Sequence, residues 1–138
     1  MRVEFYVLPS QAMADRLHTA CRLALKGWRS GMPVFIRAQD TAQCSDLDQR
    51  LWTFRQDTFV PHCLAQDSLS SPVIIGIEQQ PLAKNGLLIN LHPSPCEEHQ
   101  HFSRIIEIVN QEPSLLEQCR DHFRYYRNLG LNPMRVEL

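Results

Sequence analysis

The sequence predicts an α/β protein, a single three-layer domain with a mostly parallel sheet flanked by helices. Short apolar runs alternate with amphipathic helical stretches, and the joints between them are brief. This alternation is typical of parallel strands connected by crossover helices. A length of 138 residues suits one hydrophobic core, so we expect one domain over residues 1–138.

The first strand and helix are predicted from an apolar run and a helical stripe. Residues 3–8 are mostly apolar and are ended by Pro9, which predicts a strand. Ser10 is predicted as the N-cap of a helix that runs to about Trp28. Its apolar residues recur at spacings of three and four: Met13, Leu17, Ala20, Cys21, Ala24, Leu25 and Trp28.

A second strand and helix follow the same pattern. Gly31 ends the first helix, and residues 34–38 predict the next strand. Asp40 caps the second helix, with Gln43 at capping-box spacing. This helix ends near Leu51, its last clear core position.

The next segment lacks periodicity before two further strands. Residues 53–72 predict an irregular surface loop. Residues 73–77 are continuously apolar, which is typical of a central strand. Asn85 and Gly86 predict a turn that leads into a strand over residues 87–91.

The last third predicts two helices and a short strand. A helix is expected over residues 97–111, because Phe102, Ile105, Ile106 and Val109 have helical spacing. Pro113 ends it, and Ser114 caps a last helix that runs to Leu129, where Gly130 supplies the stop. Residues 134–138 alternate between apolar and charged side chains, as a short final strand does.

Charge and cysteine usage narrow the class of protein. With 14 basic and 15 acidic residues, the bulk charge predicts no direct binding of nucleic acid or of anionic membranes. Any link to nucleic acid would be local or would run through a partner. Five widely spread cysteines without a C-x-x-C pair indicate reduced thiols. The N-terminus enters a strand at once, with no secretory signal pattern, and no apolar run approaches a membrane span. We therefore expect a cytoplasmic protein.

The glycines argue against a nucleotide site. Sheets of this class bind ligands at the carboxyl ends of their strands, often over a glycine-rich turn. The five glycines, at 27, 31, 76, 86 and 130, form neither a dinucleotide fingerprint nor a phosphate loop. Without glycine in the first turn the backbone cannot approach a pyrophosphate closely.

Two groups of residues suggest an alternative function as a small zinc- or thiol-dependent enzyme. Four possible zinc ligands fall within ten residues: His92, Cys96, His99 and His101. Their spacing is poor, and we favour a solvated helix start as their explanation. His62 beside Cys63 resembles a thiol–base pair, but adjacent side chains seldom face each other.

An aromatic cluster follows the second helix. Its large side chains are Trp52, Phe54, Phe59, Val60, Pro61 and His62. Two interpretations stay open: the loop folds back onto the core, as we favour for Phe54, or it forms a protein-binding hot spot around Trp52.

The last helix separates an apolar face from an arginine face. A face that should be buried carries Leu115, Cys119, Tyr126 and Leu129, and another carries Arg120, Arg124 and Arg127. Leu116 and Phe123 lie on the boundary. The arginines either form a solvated face, favoured near a helix C-terminus, or bind an acidic peptide with its terminal carboxylate.

The sequence resembles the chi subunit family of the bacterial DNA polymerase III holoenzyme over essentially its whole length. The matching strings are Phe5-Tyr6-Val7-Leu8, Trp28-Arg29-Ser30-Gly31, Asp40 leading into Leu47-Asp48 and Leu51-Trp52, Phe59-Val60-Pro61-His62, and Arg120 to Arg127 before Gly130-Leu131-Asn132. Leu116 departs from a basic residue in some relatives, and Phe123 departs from a tyrosine.

The resemblance implies a Rossmann-like α/β fold without a phosphate loop, and no catalytic residues, metal or cofactor. It implies three partners: the psi subunit of the clamp loader, the acidic C-terminal tail of single-stranded-DNA-binding protein, and a helicase-like protein that competes with psi. The implied psi surface is Trp52, Phe59, Val60, Pro61 and His62. The implied tail site is Val109, Arg120, Phe123 and Arg124, with Tyr126, Arg127 and Gly130 as neighbours.

Overall fold

The fold is a parallel sheet between two layers of helix. The computed structural model describes residues 1–53, 60–67, 71–79 and 84–138. Within these ranges seven strands form one sheet in the order β3-β4-β2-β5-β6-β1-β7, and all of their pairings are parallel. The predicted three-layer α/β class is confirmed, and the described sheet is wholly rather than mostly parallel.

The elements have the following bounds. The strands are β1 Arg2–Val7, β2 Val34–Arg37, β3 His62–Leu64, β4 Val73–Gly76, β5 Gly86–Asn90, β6 Phe102–Val109 and β7 Met134–Glu137. The helices are α1 Met13–Arg29, α2 Thr41–Thr53 and α3 Pro113–Asn128, and single 3-10 turns cover Ala65–Asp67 and His99–His101.

Alternation along the strands builds a core on each face of the sheet. Val34 and Ile36 of β2 pack with the buried faces of α1 and α2. Phe35, between them, packs on the opposite face with Leu115 and Tyr126 of α3. Because successive strand side chains point to opposite faces, α3 lies over β1 and β6 on the face opposite to α1 and α2.

The helix boundaries were predicted in part. Asp40 accepts the Gln43 amide N–H at 2.8 Å, as predicted, whereas the Gln43 side chain accepts the N–H of Gln39 rather than that of Asp40. The prediction of Ser10 as an N-cap was wrong, because α1 begins at Met13 after Ala12, which makes no side-chain cap. Gly31 has φ of 86°, which suits its predicted role as a helix stop.

The predicted helix over residues 97–111 was wrong. Residues 102–109 form β6, which lies between β5 and β1. Ile105, Ile106 and Ile108 are fully buried, because a central strand is covered on both faces. The sequence of such a strand is a nearly continuous apolar run. Within a short run of this kind, some apolar residues are always three or four positions apart, as they are in a helix. The β-branched residues were the better signal.

The loop predicted over residues 53–72 also contains structure. His62–Leu64 forms β3, which pairs with β4 and lies at one edge of the described sheet. The predicted turn at Asn85 is present, with φ of 62°. At Gly86 a Cβ would stand 2.4 Å from the Pro33 carbonyl oxygen, so the close approach to β2 excludes a side chain.

Candidate functional site

Helix α3 is fixed at both ends by its own sequence. The Glu112 carboxylate accepts the N–H groups of Ser114 and Leu115, and Pro113 occupies the first turn. The N-cap is therefore Glu112, and the prediction of Ser114 was wrong. At the other end, Gly130 has φ of 80° and donates to the Arg127 carbonyl.

The chain then turns directly into β7. Leu131 N–H donates to the Tyr126 carbonyl, which completes a Schellman motif with the bond from Gly130 to Arg127. The role of Gly130 in this geometry is to end α3 and direct the chain toward the sheet edge. Helix α3 and strand β7 therefore form two sides of one concave surface.

The helix buries most of the predicted face. Leu115, Cys119 and Tyr126 are buried, and Leu116 and Phe123 are half-buried on the boundary, as predicted. Leu129 was predicted to be buried but is 45% exposed, because it is the C-cap and lies beyond the last helical turn. His122 is buried on this face as well, which the helical pattern did not indicate.

A cleft of about 420 Å³ opens between α3 and the end of the sheet, and we call it the tail cleft. It is lined by Phe5, Val7, Val109, Gln111, Leu116, Cys119, Arg120, Phe123 and Arg135. The structure thus brings together three residues of the predicted tail site: Val109, Arg120 and Phe123. Its apolar lining with a cationic rim suits an apolar residue that carries a carboxylate.

Phe123 forms a wall of the tail cleft and is held by packing on the sheet. Its ring centroid lies 5.2 Å from that of Phe5, with the rings tilted by 57°. Cys119 contributes apolar lining, because burial raises the pKa of its thiol to about 12 and keeps it protonated. The cleft interior therefore carries no charge from these groups.

The three predicted arginines differ in position. Arg120 is exposed and lines the tail cleft, and it makes no ion pair within the described part of the chain. Arg124 is exposed and pairs with Asp121, with Nη1 3.2 Å from Oδ1. Arg127 is exposed one turn beyond Phe123 and does not line the cleft. Arg120 is therefore the cation nearest to the apolar pocket on the helix side.

Tyr126 has a different environment from its predicted neighbours. It is fully buried, and its hydroxyl donates to Glu107 Oε2 at 2.8 Å and accepts the Cys96 N–H at 2.8 Å. Asn90 donates to the same Glu107 oxygen at 2.7 Å. Tyr126 thus supports the tail cleft from behind rather than facing it.

The buried polar group around Glu107 was missed by sequence reasoning. His122 Nδ1 lies 2.9 Å from Glu107 Oε1, and His122 Nε2 lies 2.7 Å from the Pro93 carbonyl oxygen. Both ring nitrogens face acceptors, and this geometry favours the doubly protonated, cationic ring, which donates to both. One signal was available, since Glu107 is a lone charge inside an apolar run.

The pKa of His122 is raised above its usual value. Burial acts to lower it, but the hydrogen bond and charge of Glu107 and the Pro93 carbonyl outweigh burial. The result is an ion pair beneath α3 with both partners buried. Such a pair fixes the helix on the sheet, since loss of one partner leaves an uncompensated charge.

The second predicted surface lies at the end of α2 beside β3. Trp52 is 54% exposed, and its ring centroid lies 4.8 Å from that of His62 in an edge-on contact. The His62 side chain is enclosed, with Nδ1 2.6 Å from the Val60 carbonyl oxygen and Nε2 3.2 Å from Asp48 Oδ1. His62 therefore supports the Trp52 ring from beneath.

The other members of this group are placed differently. Pro61 is half-buried, and Val60 is fully buried in the core with the α1–α2 face. Phe54 and Phe59 lie outside the described residues. Of the described members, Trp52 presents the most apolar surface to solvent.

The two surfaces lie far apart. Strands β3 and β7 are at opposite edges of the described sheet, six strand spacings apart or about 29 Å. Helix α2 packs on one face and α3 on the other. The surface around Trp52 and the tail cleft therefore lie on opposite faces and toward opposite edges of the described sheet.

The fold gives little support to the candidate zinc and thiol sites. In the described ranges, which include residues 92–101, no three His, Cys, Asp or Glu side chains are placed to hold a metal ion. Burial raises the pKa of the Cys96 thiol to about 11, which disfavours the thiolate that zinc requires. Cys63 is buried, and the His62 ring nitrogens face Val60 and Asp48.

No helix among the described residues is long and apolar enough to cross a membrane.

Known proteins match this chain along almost its whole length. The family model described as DNA polymerase III chi subunit, HolC, matches residues 1–134. The DNA polymerase III subunit chi of Pseudomonas aeruginosa is 46% identical over 129 residues, which cover 94% of this chain and 91% of that protein. The subunits chi of Haemophilus influenzae and Escherichia coli are 33% and 32% identical, over 94% and 93% of this chain and 92% of each relative. The chain belongs to the DNA polymerase III chi subunit family.

Proposed function

We propose that this chain is a non-catalytic accessory subunit of the clamp-loader assembly of the replicative DNA polymerase. In this role it bridges the psi subunit to the acidic C-terminal tail of single-stranded-DNA-binding protein. It acts in the cytoplasm and contacts nucleic acid only through that partner. A helicase-like protein competes with psi for the surface around Trp52.

One observation carries the proposal. Val109 at the end of β6 and Arg120 and Phe123 of α3 line a single apolar cleft with a cationic rim. An acidic tail that ends in an apolar residue has the matching chemistry. Its terminal side chain fills the cleft against Phe123 and Val109, while Arg120 pairs with a carboxylate.

The psi surface is supported by the exposure of Trp52. A large aromatic residue that is more than half exposed beside an edge strand is typical of a binding hot spot. The enclosed His62 holds this ring in place. Phe59 and Pro61 complete the proposed surface, and Val60 anchors it to the core.

The test is calorimetric titration with a synthetic acidic tail peptide. We expect the full peptide to bind, and the peptide without its last residue, or with an amidated terminus, to bind much more weakly. Arg120→Ala should abolish binding. Arg22→Ala is the matched control, because Arg22 is exposed on α1 across the sheet.

Equal binding of the peptide by the Arg120 variant and the wild type would refute the site. Retained binding of psi by the Arg120 variant, measured by co-purification, shows that the variant is folded. A wild-type chain that binds neither version of the peptide would refute the bridging function itself.

A further inference from the structure

The tail cleft has a second wall, which is built by the edge strand β7. Arg135 lines the cleft from this strand, while Arg120 lines it from α3. Neither the helical pattern nor the arginine cluster of α3 points to Arg135. The short alternation in residues 134–138 was the one sequence signal at this position.

The strand register sets the direction of the Arg135 side chain. Arg135 is paired with Phe5 of β1, and Glu137 is paired with Val7. Paired residues in a sheet point to the same face, and Phe5 and Val7 both line the tail cleft. Arg135 and Glu137 therefore lie on the α3 face of β7.

Arg135 and Glu137 form an ion pair with each other. Arg135 Nε lies 2.6 Å from Glu137 Oε1, and the side chains are 67% and 64% exposed. An ion pair at this exposure contributes little to stability, because water competes with both partners. Displacement of Glu137 from Arg135 by another carboxylate therefore costs little free energy.

We propose that Arg135 is a second carboxylate-binding residue of the tail cleft, and that Glu137 occupies it until an acidic peptide displaces it. The proposal rests on the proposed function of the cleft. Guanidinium groups on both sides of the apolar pocket hold two carboxylates of one peptide. Glu137 also raises selectivity, because a peptide without a second carboxylate does not displace it.

The experiment is a double-mutant cycle read by calorimetry with the acidic tail peptide. Arg135→Gln should weaken binding by about three- to tenfold, as expected for a partly exposed charged hydrogen bond. Glu137→Gln should tighten binding by about two- to fivefold, because it frees Arg135. In the Arg135→Gln background, the Glu137→Gln gain should vanish.

The cycle distinguishes a direct effect of Glu137 on Arg135 from a general repulsion between the Glu137 charge and the acidic peptide. A gain on Glu137→Gln that persists without Arg135 would mean that Glu137 acts only by its charge, which overturns the proposal. Unchanged binding on Arg135→Gln, in a chain where Arg120→Ala abolishes binding, overturns this inference and leaves the tail site intact. A wild-type chain that does not bind the peptide overturns both. Arg135→Lys should recover part of the lost affinity if Arg135 meets a carboxylate.

Discussion

The Tyr126 hydroxyl donates a 2.8 Å hydrogen bond to Oε2 of Glu107, at the centre of the sheet face that α3 covers. Glu107 belongs to β6, and its strand neighbour Phe5 supports the Phe123 ring. The buried network and the wall of the tail cleft are therefore parts of one packing unit. We therefore expect that a substitution in the network shifts α3 and so alters the shape of the tail cleft.

The Tyr126 hydroxyl should contribute measurably to stability. Tyr126→Phe leaves the buried Cys96 N–H without its acceptor and removes a donor to Glu107. We expect the free energy of unfolding to fall by about 1–3 kcal/mol in urea denaturation. Tyr125→Phe is the matched control, because that residue is only half-buried. Equal losses in the two variants would contradict this role.

Stability should depend on pH through His122. Its pKa is raised in the folded state, so its contribution is fully present below the unfolded value of 6.5. The contribution is lost as pH rises through the folded pKa. The difference in free energy of unfolding between the wild type and His122→Gln should therefore shrink above pH 6.5. A difference that is constant across this range would refute a cationic His122.

Loss of Trp52 should release psi and spare the tail. Trp52→Ala removes an exposed aromatic ring and should cost about 2 kcal/mol or more of psi binding if it is a hot spot. Binding of the acidic peptide should not change, since the tail cleft lies at the other sheet edge. Met134→Ala, a change of another exposed apolar residue, is the control. Loss of both partners would indicate misfolding instead.

Binding of the tail should weaken as salt rises. Arg120 is exposed, so its attraction to a carboxylate is screened, with a Debye length of about 10 Å at ~0.1 M salt and about 3 Å at ~1 M. We expect a several-fold loss of affinity across this range in calorimetry. The loss should be smaller for a peptide with fewer acidic residues. Salt-independent affinity would mean that apolar contact alone holds the peptide.

Local patterns predicted most of the elements. The strand over residues 3–8, the stripe of α1 and the boundary position of Phe123 all follow from periodicity, which survives folding because each element buries one face. The prediction of a helix over residues 97–111 failed for a related reason. A strand buried on both faces has no period of its own, so its apolar residues were read as a helix.

The sequence by itself determined the α/β class, the family resemblance, the apolar and arginine faces of α3, and the absence of a phosphate loop. Only the tertiary structure decided that Arg135 and Arg120 line the same cleft, that Tyr126 bonds to Glu107, and that the His62 ring packs against Trp52. The reason is physical. Periodicity reports which side of an element is buried, whereas strand order and register decide which distant residues share a surface.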